Sequence, residues 1–429
     1  MKRTFLITSW LLIMLSTVHC ETLTLENCRE RAKTNYPLIQ QYGLIEQITR
    51  FNIANANNGY LPQLALSAKA TYQSDVTSLP QGMIDMLGNM PKPVVVTPLS
   101  KDQYQLSLEV NQSIWDGGNI NAQKKAMLAS EAVEKQNVEI SLYAINDRVD
   151  QLFFGIMLLD EQLKQNQILQ TELQTNCSRI EAYMKNGVAN QSDVDAIKVE
   201  QLNALQKEAE LKNTQLAFRV MLAAYTRSVI DDRTVLIKPE VPLTGAMDMS
   251  NRRPELKMYS LQNQLFETQK STIYSSNLPK FGAFIQGGYG RPAFNMFNNS
   301  FNPFYIGGVR MTWNFSGLYN QNGNLKKLEL NQKMIDVQRE TFLFNTDLKS
   351  KQQKIEIQRL EAVITKDDDI IRLRESIKKS AQAKLDNGTL AVTDLIREIN
   401  AENQAKQVKA LHEIQLLVAV YQLKNNLNN

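Results

Sequence analysis

Two hydrophobic periodicities alternate along the chain. In the long stretches apolar residues recur every three or four positions, as in Val138, Leu142, Ile145, Val149, Leu152 and Ile156, the spacing of one helix face. Between Asn119 and Lys185 there is no proline and a single glycine, Gly155. One helix is predicted there, and about 67 residues at 1.5 Å each would run roughly 100 Å, several globular-domain diameters. A return helix is predicted from about Ser192 to Ser228, and a second pair from Asn320 to Asp386 and from Val392 to Leu427. The short stretches alternate with period two. Leu64, Leu66, Ala68, Ala70 and Tyr72 share one face of a predicted strand, Tyr104, Leu106, Leu108 and Val110 one face of the next, and Phe281, Ala283, Ile285, Gly287 and Tyr289 one face of a third. The last strand, Phe304 to Trp313, offers Val309, Met311 and Trp313. The opposite faces of the first strands carry mostly Ser, Lys, Thr, Gln or Glu, and about ten such residues match a tilted membrane-spanning β-strand.

The pattern is written twice. Asn35-Tyr36-Pro37-Leu38 recurs as Arg253-Pro254-Glu255-Leu256, and Gly59-Tyr60-Leu61-Pro62 as Ser276-Asn277-Leu278-Pro279, so both proline pairs lie 217 residues apart. Trp115-Asp116-Gly117-Gly118 corresponds to Trp313-Asn314-Phe315-Ser316-Gly317 at an offset of 198, and Asn186-Gly187 with Asp193 to Asn387-Gly388 with Asp394 at 201. The shorter offset places a length difference between Pro62 and Trp115. The expected division is a leader (1–20), a first repeat of helix, two strands and helical hairpin (21–230), a connector containing Pro239, Pro242 and Gly245 (231–250), and a second repeat (251–429). The Asn-Gly pairs provide the left-handed conformation that ends a helix, and Gln191-Ser192-Asp193 and Thr393-Asp394 begin the returns.

Four strands cannot close a barrel, and an open edge in lipid leaves backbone groups unpaired at several kcal/mol each. Several copies must therefore share one barrel: two would supply eight strands and three would supply twelve. Trp115 and Trp313 occupy one repeat position at a strand end, as in an aromatic girdle at a membrane surface. Capping of a soluble core is the competing role for them. Residues 75–100, with Pro80, Pro91, Pro93 and Pro98, and 291–303 are the strand-connecting loops, expected on the cell exterior.

Composition narrows the chemistry. Lys2 and Arg3 precede an apolar run from Phe5 to Leu15 and a small-residue region, the order of a secretory signal, and no later stretch is long and apolar enough for a spanning helix. Two readings of Cys20 stand: cleavage before Glu21 removes it, whereas cleavage before Cys20 leaves it lipidated. With 48 basic and 44 acidic residues, two of the basic ones in the leader, the mature charge is near +2, which argues against nucleic acid as a partner. Of two histidines only His412 lies beyond the leader, so most histidine-based catalytic and metal sites are excluded. There is no Gly-Lys dipeptide for a phosphate-binding loop. No cofactor and no catalytic residue is expected. Cys28 and Cys177 are expected as buried thiols, Asp367-Asp368-Asp369 as a solvated helix face, and Met83, Met86 and Met90 as packing residues in an apolar loop, with soft-metal capture the sharper alternative.

The duplicated order, the proline motifs and the Gly-containing tips resemble the TolC-like outer membrane efflux proteins over essentially the whole mature chain. Leu23-Thr24-Leu25-Glu26-Asn27-Cys28 through Asn35-Tyr36-Pro37-Leu38 looks like that family's first helix, and Asn186-Gly187-Val188 followed by Asp193-Val194 like its first hairpin tip. The resemblance implies an α+β membrane protein: a homotrimer with a 12-stranded β-barrel in the outer membrane lipid, continued by a 12-helix α-barrel in the periplasm of a Gram-negative cell. It also implies a passive exit duct for drugs, metals or proteins in a tripartite efflux or type I secretion system, docked on a periplasmic adaptor protein joined to an inner-membrane transporter. By position Asp394 matches an entrance aspartate of the family, while a place acidic in some members is Arg397 here. Asp394 has two open roles, gate carboxylate or favourable charge at a helix start; Asp193 matches it in the first tip, with capping expected. Asn186, Gly187, Val188, Asn387, Gly388 and Thr389 are the expected adaptor contacts. The alternative, a periplasmic adaptor or coiled-coil structural protein, predicts no duplicated strand pairs between helical hairpins.

Overall fold

The computed structural model describes residues 22–92, 99–240 and 250–428. The leader with Cys20, Pro93 and Pro98 of the first loop, and Pro242 and Gly245 of the connector lie outside the described residues. Chain contacts divide the protein into two compact units. One takes residues up to 39, 139–253 and 343–429; the other takes 40–138 and 254–342, so each draws on both halves of the sequence.

The second of these units contains a four-stranded antiparallel sheet of β2 (Gln63–Tyr72), β3 (Asp102–Trp115), β5 (Lys280–Arg291) and β6 (Asn302–Thr312), in the order β2-β3-β5-β6. The register pairs Leu64 with Val110, Leu66 with Leu108 and Ala68 with Leu106, then Val110 with Ile285 and Leu106 with Tyr289, then Ala283 with Val309 and Phe281 with Met311. The four apolar sets predicted strand by strand therefore form one continuous face. Most of its side chains are exposed, Leu64 and Leu66 at 71% and Val309 at 82%, with Val110 and Ala283 half-buried. The other face carries Ser67, Lys69, Gln105, Ser107, Glu109, Gln286 and Arg310, with Phe284, Phe304 and Ile306 among them in the second strand pair. On it Ser67 Oγ and Ser107 Oγ are 2.9 Å apart, and Arg310 reaches Glu109 at 3.6 Å. An exposed apolar face opposite a hydrogen-bonded polar one is the inverse of a water-soluble sheet, and it suits lipid outside and water inside. Gly288 has no room for a side chain, since a Cβ there would lie 2.4 Å from Leu106 O.

The strand pairs lead into the long helices through matched turns. Asp116 accepts from the N–H groups of Gly118 at 2.9 Å and Ile120 at 2.6 Å, while Gly117 and Gly118 take positive φ. Asn314, its counterpart 198 residues on, accepts from Ser316 N at 3.0 Å. One continuous helix is predicted from Asn119 to Lys185; there are two, α4 (Asn119–Tyr143) and α5 (Ile145–Lys185). Ala144 between them keeps helical dihedrals (φ −62°, ψ −17°), and its N–H still reaches Ile140 O at 3.1 Å, so the ladder loosens without a turn. In the second half α8 (Ser316–Asp386) runs unbroken. The return helices are α6 (Gln191–Thr226) and α9 (Val392–Leu427), and α1 (Leu25–Asn35), α2 (Gln41–Asn57) and α7 (Pro254–Ser276) precede the strand pairs.

Two loop expectations need correction. The first strand-connecting loop contains a short helix, α3 (Gln81–Gly88), and Met83, Met86 and Met90 are exposed on it or just beyond it instead of packed. The connector is not loop throughout, because β4 (Val235–Leu236) pairs in parallel with β1 (Thr22–Leu23).

The predicted helical stripe forms a core: Val149 and Ile156 are fully buried, with Phe153, Phe154, Leu222, Leu417 and Val420. Gly155, the one glycine of that stretch, marks close helix packing, since a Cβ there would meet the Phe218 ring at 2.4 Å. A polar clasp ties α1 and α9 to α5. Arg29 grips Asp150 with two hydrogen bonds of 2.7 and 2.5 Å, and Asn425 Nδ2 donates to the same carboxylate at 2.6 Å. Burial nonetheless pushes the Asp150 carboxyl up from its ordinary value, against the pull of Arg29. Cys28 and Cys177 are both buried.

The two sheet faces predict opposite tolerances. Leu108→Lys, on the apolar face, should cost about 2–4 kcal/mol of folding stability in a bilayer, whereas Gln105→Lys on the polar face should cost under about 1 kcal/mol. Urea titration of the protein folded into liposomes measures both.

Candidate gate at the tips of the helical hairpins

Both tips are built alike. In the first, Gly187 takes φ +75°, and the N–H groups of Val188 and Gly187 return to Tyr183 O at 2.9 Å and Met184 O at 3.1 Å. In the second, Gly388 takes φ +71°, and Thr389 and Gly388 return to Lys384 O and Leu385 O, each at 2.9 Å. This is the Schellman closure, in which a left-handed residue lets the last carbonyls find donors. Asn186, Gly187, Val188, Asn387, Gly388 and Thr389 are all exposed at these turns. Asn387 Nδ2 donates to Ala383 O at 2.8 Å and Thr389 Oγ1 to Lys384 O at 3.0 Å, so two of these side chains also serve their own turn.

The two returns differ. Asn190 and Asp193 form a reciprocal capping box on α6, Asp193 N donating to Asn190 Oδ1 at 3.1 Å and Asn190 N to Asp193 Oδ2 at 3.0 Å. The Asp193 carboxylate is thus engaged as a cap. Asp394 makes no such box, because the residue before α9 is Ala391, without a capping side chain. Its carboxylate instead meets Arg397 at 3.2 Å; Arg397 also reaches Glu398 at 3.5 Å, and Glu398 meets Arg374 of α8 at 3.4 Å. Asp394 therefore begins an alternating chain of charges along the α8–α9 seam.

Residues that the spacing did not single out join the hairpins to each other. Tyr183 at the end of α5 donates its hydroxyl to Asp386 at the end of α8 at 2.8 Å, Gln382 donates to the same oxygen at 3.0 Å, and Arg179 lies 3.6 Å away. The Tyr183 hydrogen bond, foremost, holds the Asp386 carboxyl below its ordinary value, and that bond raises the Tyr183 phenol in turn. Farther from the tip, Lys378 lies between Glu172 at 2.7 Å and the buried Glu402 at 2.6 Å, and Lys406 reaches Glu402 at 2.6 Å. Burial alone would raise Glu402; the two ammonium groups outweigh it and lower the carboxyl. Beneath the polar layer Leu173, Ile180, Val194, Ile197, Leu385, Val392, Leu395 and Ile399 form one apolar cluster drawn from both hairpins. The only signal for Tyr183 and Asp386 in the sequence was their closeness to the Asn-Gly turns.

In the sheet unit, Trp115 closes β3 beyond a bulge and lies 5.8 Å from the Phe281 ring. Trp313 sits one residue past β6, not within the strand as expected; its indole N–H donates to Asn277 O at 3.0 Å and its ring lies 4.6 Å from Phe315. Each keeps 43% of its surface exposed.

The chain therefore combines a sheet whose exposed face is apolar with two long helical hairpins. Residues 29–226 match the family model described as outer membrane efflux protein. The fold is similar to that of a membrane protein from Pseudomonas aeruginosa (13% identity, 94% of this chain and 90% of that one, TM-score 0.66). It is also similar to the outer membrane protein VceC from Vibrio cholerae (15%, 94% of each chain, 0.61) and to the open state of the MtrE outer membrane channel of Neisseria gonorrhoeae (12%, 94% and 89%, 0.62). No curated protein sequence matches. Over residues 29–226 the sequence is thus similar to the outer membrane efflux proteins, and over 94% of its length the chain shares the fold of the solved channels.

Gly388→Ala places a Cβ at positive φ and should destabilise the second hairpin by about 1–2 kcal/mol, read from thermal unfolding of the helical signal. The Tyr183–Asp386 bond makes a pH prediction. A carboxyl lowered in the folded state contributes stability that is present above the ordinary aspartate value of about 3.9 and lost as pH falls through the folded value. In Tyr183→Phe the Asp386 titration, followed by carboxyl NMR, should move up towards the ordinary value and this contribution should shrink.

Proposed function

We propose that the protein acts as a homotrimeric, passive exit duct of a tripartite efflux assembly, with β2 and β6 of neighbouring copies pairing to close a 12-stranded barrel. The observation that carries this reading is the four-stranded sheet whose outward face is apolar and whose two outer strands, β2 and β6, each have one edge with no partner strand among the described residues. Backbone groups on such edges cost several kcal/mol each in lipid. Helical surfaces support the same reading. Leu44, Ile48 and Phe51 on α2 and Leu330, Met334, Val337, Phe344 and Leu348 on α8 are exposed at alternating steps of three, four and seven, the seam spacing of a helix packing on another. Neighbouring copies would cover these seams and complete a helical barrel. The duplicated halves, 21–230 and 251–429 with the connector 231–250, supply quasi-equivalent strand pairs and hairpins to it.

In this reading the hairpin tips form the periplasmic entrance. Asp394 and Arg397 stand at its rim, and Asp193 serves the first tip as a cap. The exposed turns at Asn186, Gly187 and Val188 and at Asn387, Gly388 and Thr389 dock a periplasmic adaptor protein, which couples the duct to an energised inner-membrane transporter. The Tyr183–Asp386 bond and the paired charges behind it hold the hairpins together at rest, and docking separates them. Trp115 and Trp313 anchor the barrel at one membrane surface. Leader cleavage before Glu21 removes Cys20.

The native and subunit masses of the detergent-extracted protein test the assembly: a trimer of subunits beginning at Glu21 is expected, a stable monomer refutes the shared barrel, and a subunit carrying acyl mass at Cys20 refutes cleavage before Glu21. In planar bilayers Asp394→Lys should shift the reversal potential towards anions with the trimer intact. An unchanged potential places Asp394 away from the ion path.

A further inference from the structure

Met83, Met86 and Met90 follow the spacing i, i+3, i+7. Met83 and Met86 stand one turn apart on α3, and Met90 follows directly after the Asn89 that ends it. All three are exposed, at 51%, 66% and 39%, while Ile84 and Leu87 of the same helix are half-buried. The helix thus turns its branched aliphatic residues inward and its thioethers outward. Core packing, the usual work of methionine, does not account for that choice. Membrane contact does not either: an interfacial helix carries Trp, Phe or Leu on its apolar face and Lys or Arg on its polar one, whereas the rest of α3 is Gln81, Gly82, Asp85 and Gly88. A fourth exposed methionine, Met296, lies in the β5–β6 loop at the same end of the sheet. The two loops are tied by Ser100 N to Asn299 Oδ1 at 3.0 Å and Asn299 Nδ2 to Ser100 Oγ at 2.9 Å.

We propose that Met83, Met86 and Met90 form a binding site for a soft, thiophilic monovalent cation, Cu(I) or Ag(I), on the outer loop of the channel. Thioether sulfur is a neutral, polarizable donor that selects such cations over Zn(II), Mg(II) or Ca(II), which take imidazole, thiolate or oxygen ligands. Three thioethers at helical spacing can converge on one ion without a charged ligand. The site is independent of the cargo that the duct carries.

The test is titration of the detergent-purified channel with Ag(I), which needs no reductant, against a competing chelator, with the coordination shell read by X-ray absorption. About one Ag(I) per chain in an all-sulfur shell, unaffected by Zn(II), is expected. Combined Met83→Leu, Met86→Leu and Met90→Leu, which keeps side-chain volume, should weaken binding by at least about tenfold, or 1.4 kcal/mol, and leave native mass and conductance unchanged. Met86→Leu alone should give an intermediate loss, and Met311→Leu on the outer sheet face none. Absence of binding in the parent, a shell without sulfur, or undiminished binding in the triple variant overturns the proposal; the last result would assign the metal to other sulfur, including the buried Cys28 and Cys177.

Discussion

The backbone of a β-strand in lipid has nowhere to find hydrogen bonds except another strand, and the rest of this protein follows from that constraint. Four strands provide internal partners for β3 and β5 but leave the outer edges of β2 and β6 open. A chain that met the requirement alone would need more strands; this one presents an apolar sheet face and two edges that other copies can satisfy. In the proposed assembly the same division of labour extends to the helices, whose exposed heptad-spaced residues would be covered by a neighbouring copy.

Within the chain both hairpins are closed by polar contacts, including charge pairs, along their seams. Along α5 and α6 the seam combines amides, with Asn166 donating to Ala204 O at 2.9 Å and Gln201 to Gln174 at 3.0 Å, and charge pairs, with Lys198 at 3.0 Å from Glu181 and Arg219 at 3.4 Å from Asp160. Along α8 and α9 it uses alternating charges: Asp394, Arg397, Glu398 and Arg374, then Glu402 between Lys378 and Lys406. A buried charge is tolerated only with its partners in place, so removing one member costs more than an exposed pair contributes. Glycine sets the limits of both seams, at the tips by positive φ and at Gly155 by the closeness of Phe218.

Much of the fold was legible along the chain because its elements are long and strongly periodic. The bounds of α9 match the expectation, and those of α6 differ by only a residue or two. The strand faces were legible because period two leaves no choice of side once the apolar set is chosen. The break at Ala144 was not, since its dihedrals remain helical and no glycine or proline marks it. The pairing of β4 with β1 was hidden because two residues carry no readable period. Among site residues the turn-forming Asn-Gly pairs and the capping Asp193 were visible, each needing a particular residue type at one local position. Tyr183, Asp386 and Lys378 were not, because their partners lie on other helices roughly 200 residues away or more.

By itself the sequence determined the alternation of strand pairs and long hairpins, their duplication, the polar turns and the scarcity of chemistry around the one histidine beyond the leader, His412. These are local properties, dictated by backbone periodicity and by the few residue types that tolerate a tight turn. Only the tertiary structure decided which carboxylates are caps and which are links between hairpins, and that the apolar faces of four strands merge into one. It also decided that the three loop methionines point outward. Each of these depends on which surfaces meet across long separations in the chain, and burial and pairing are properties of that meeting, not of any residue alone.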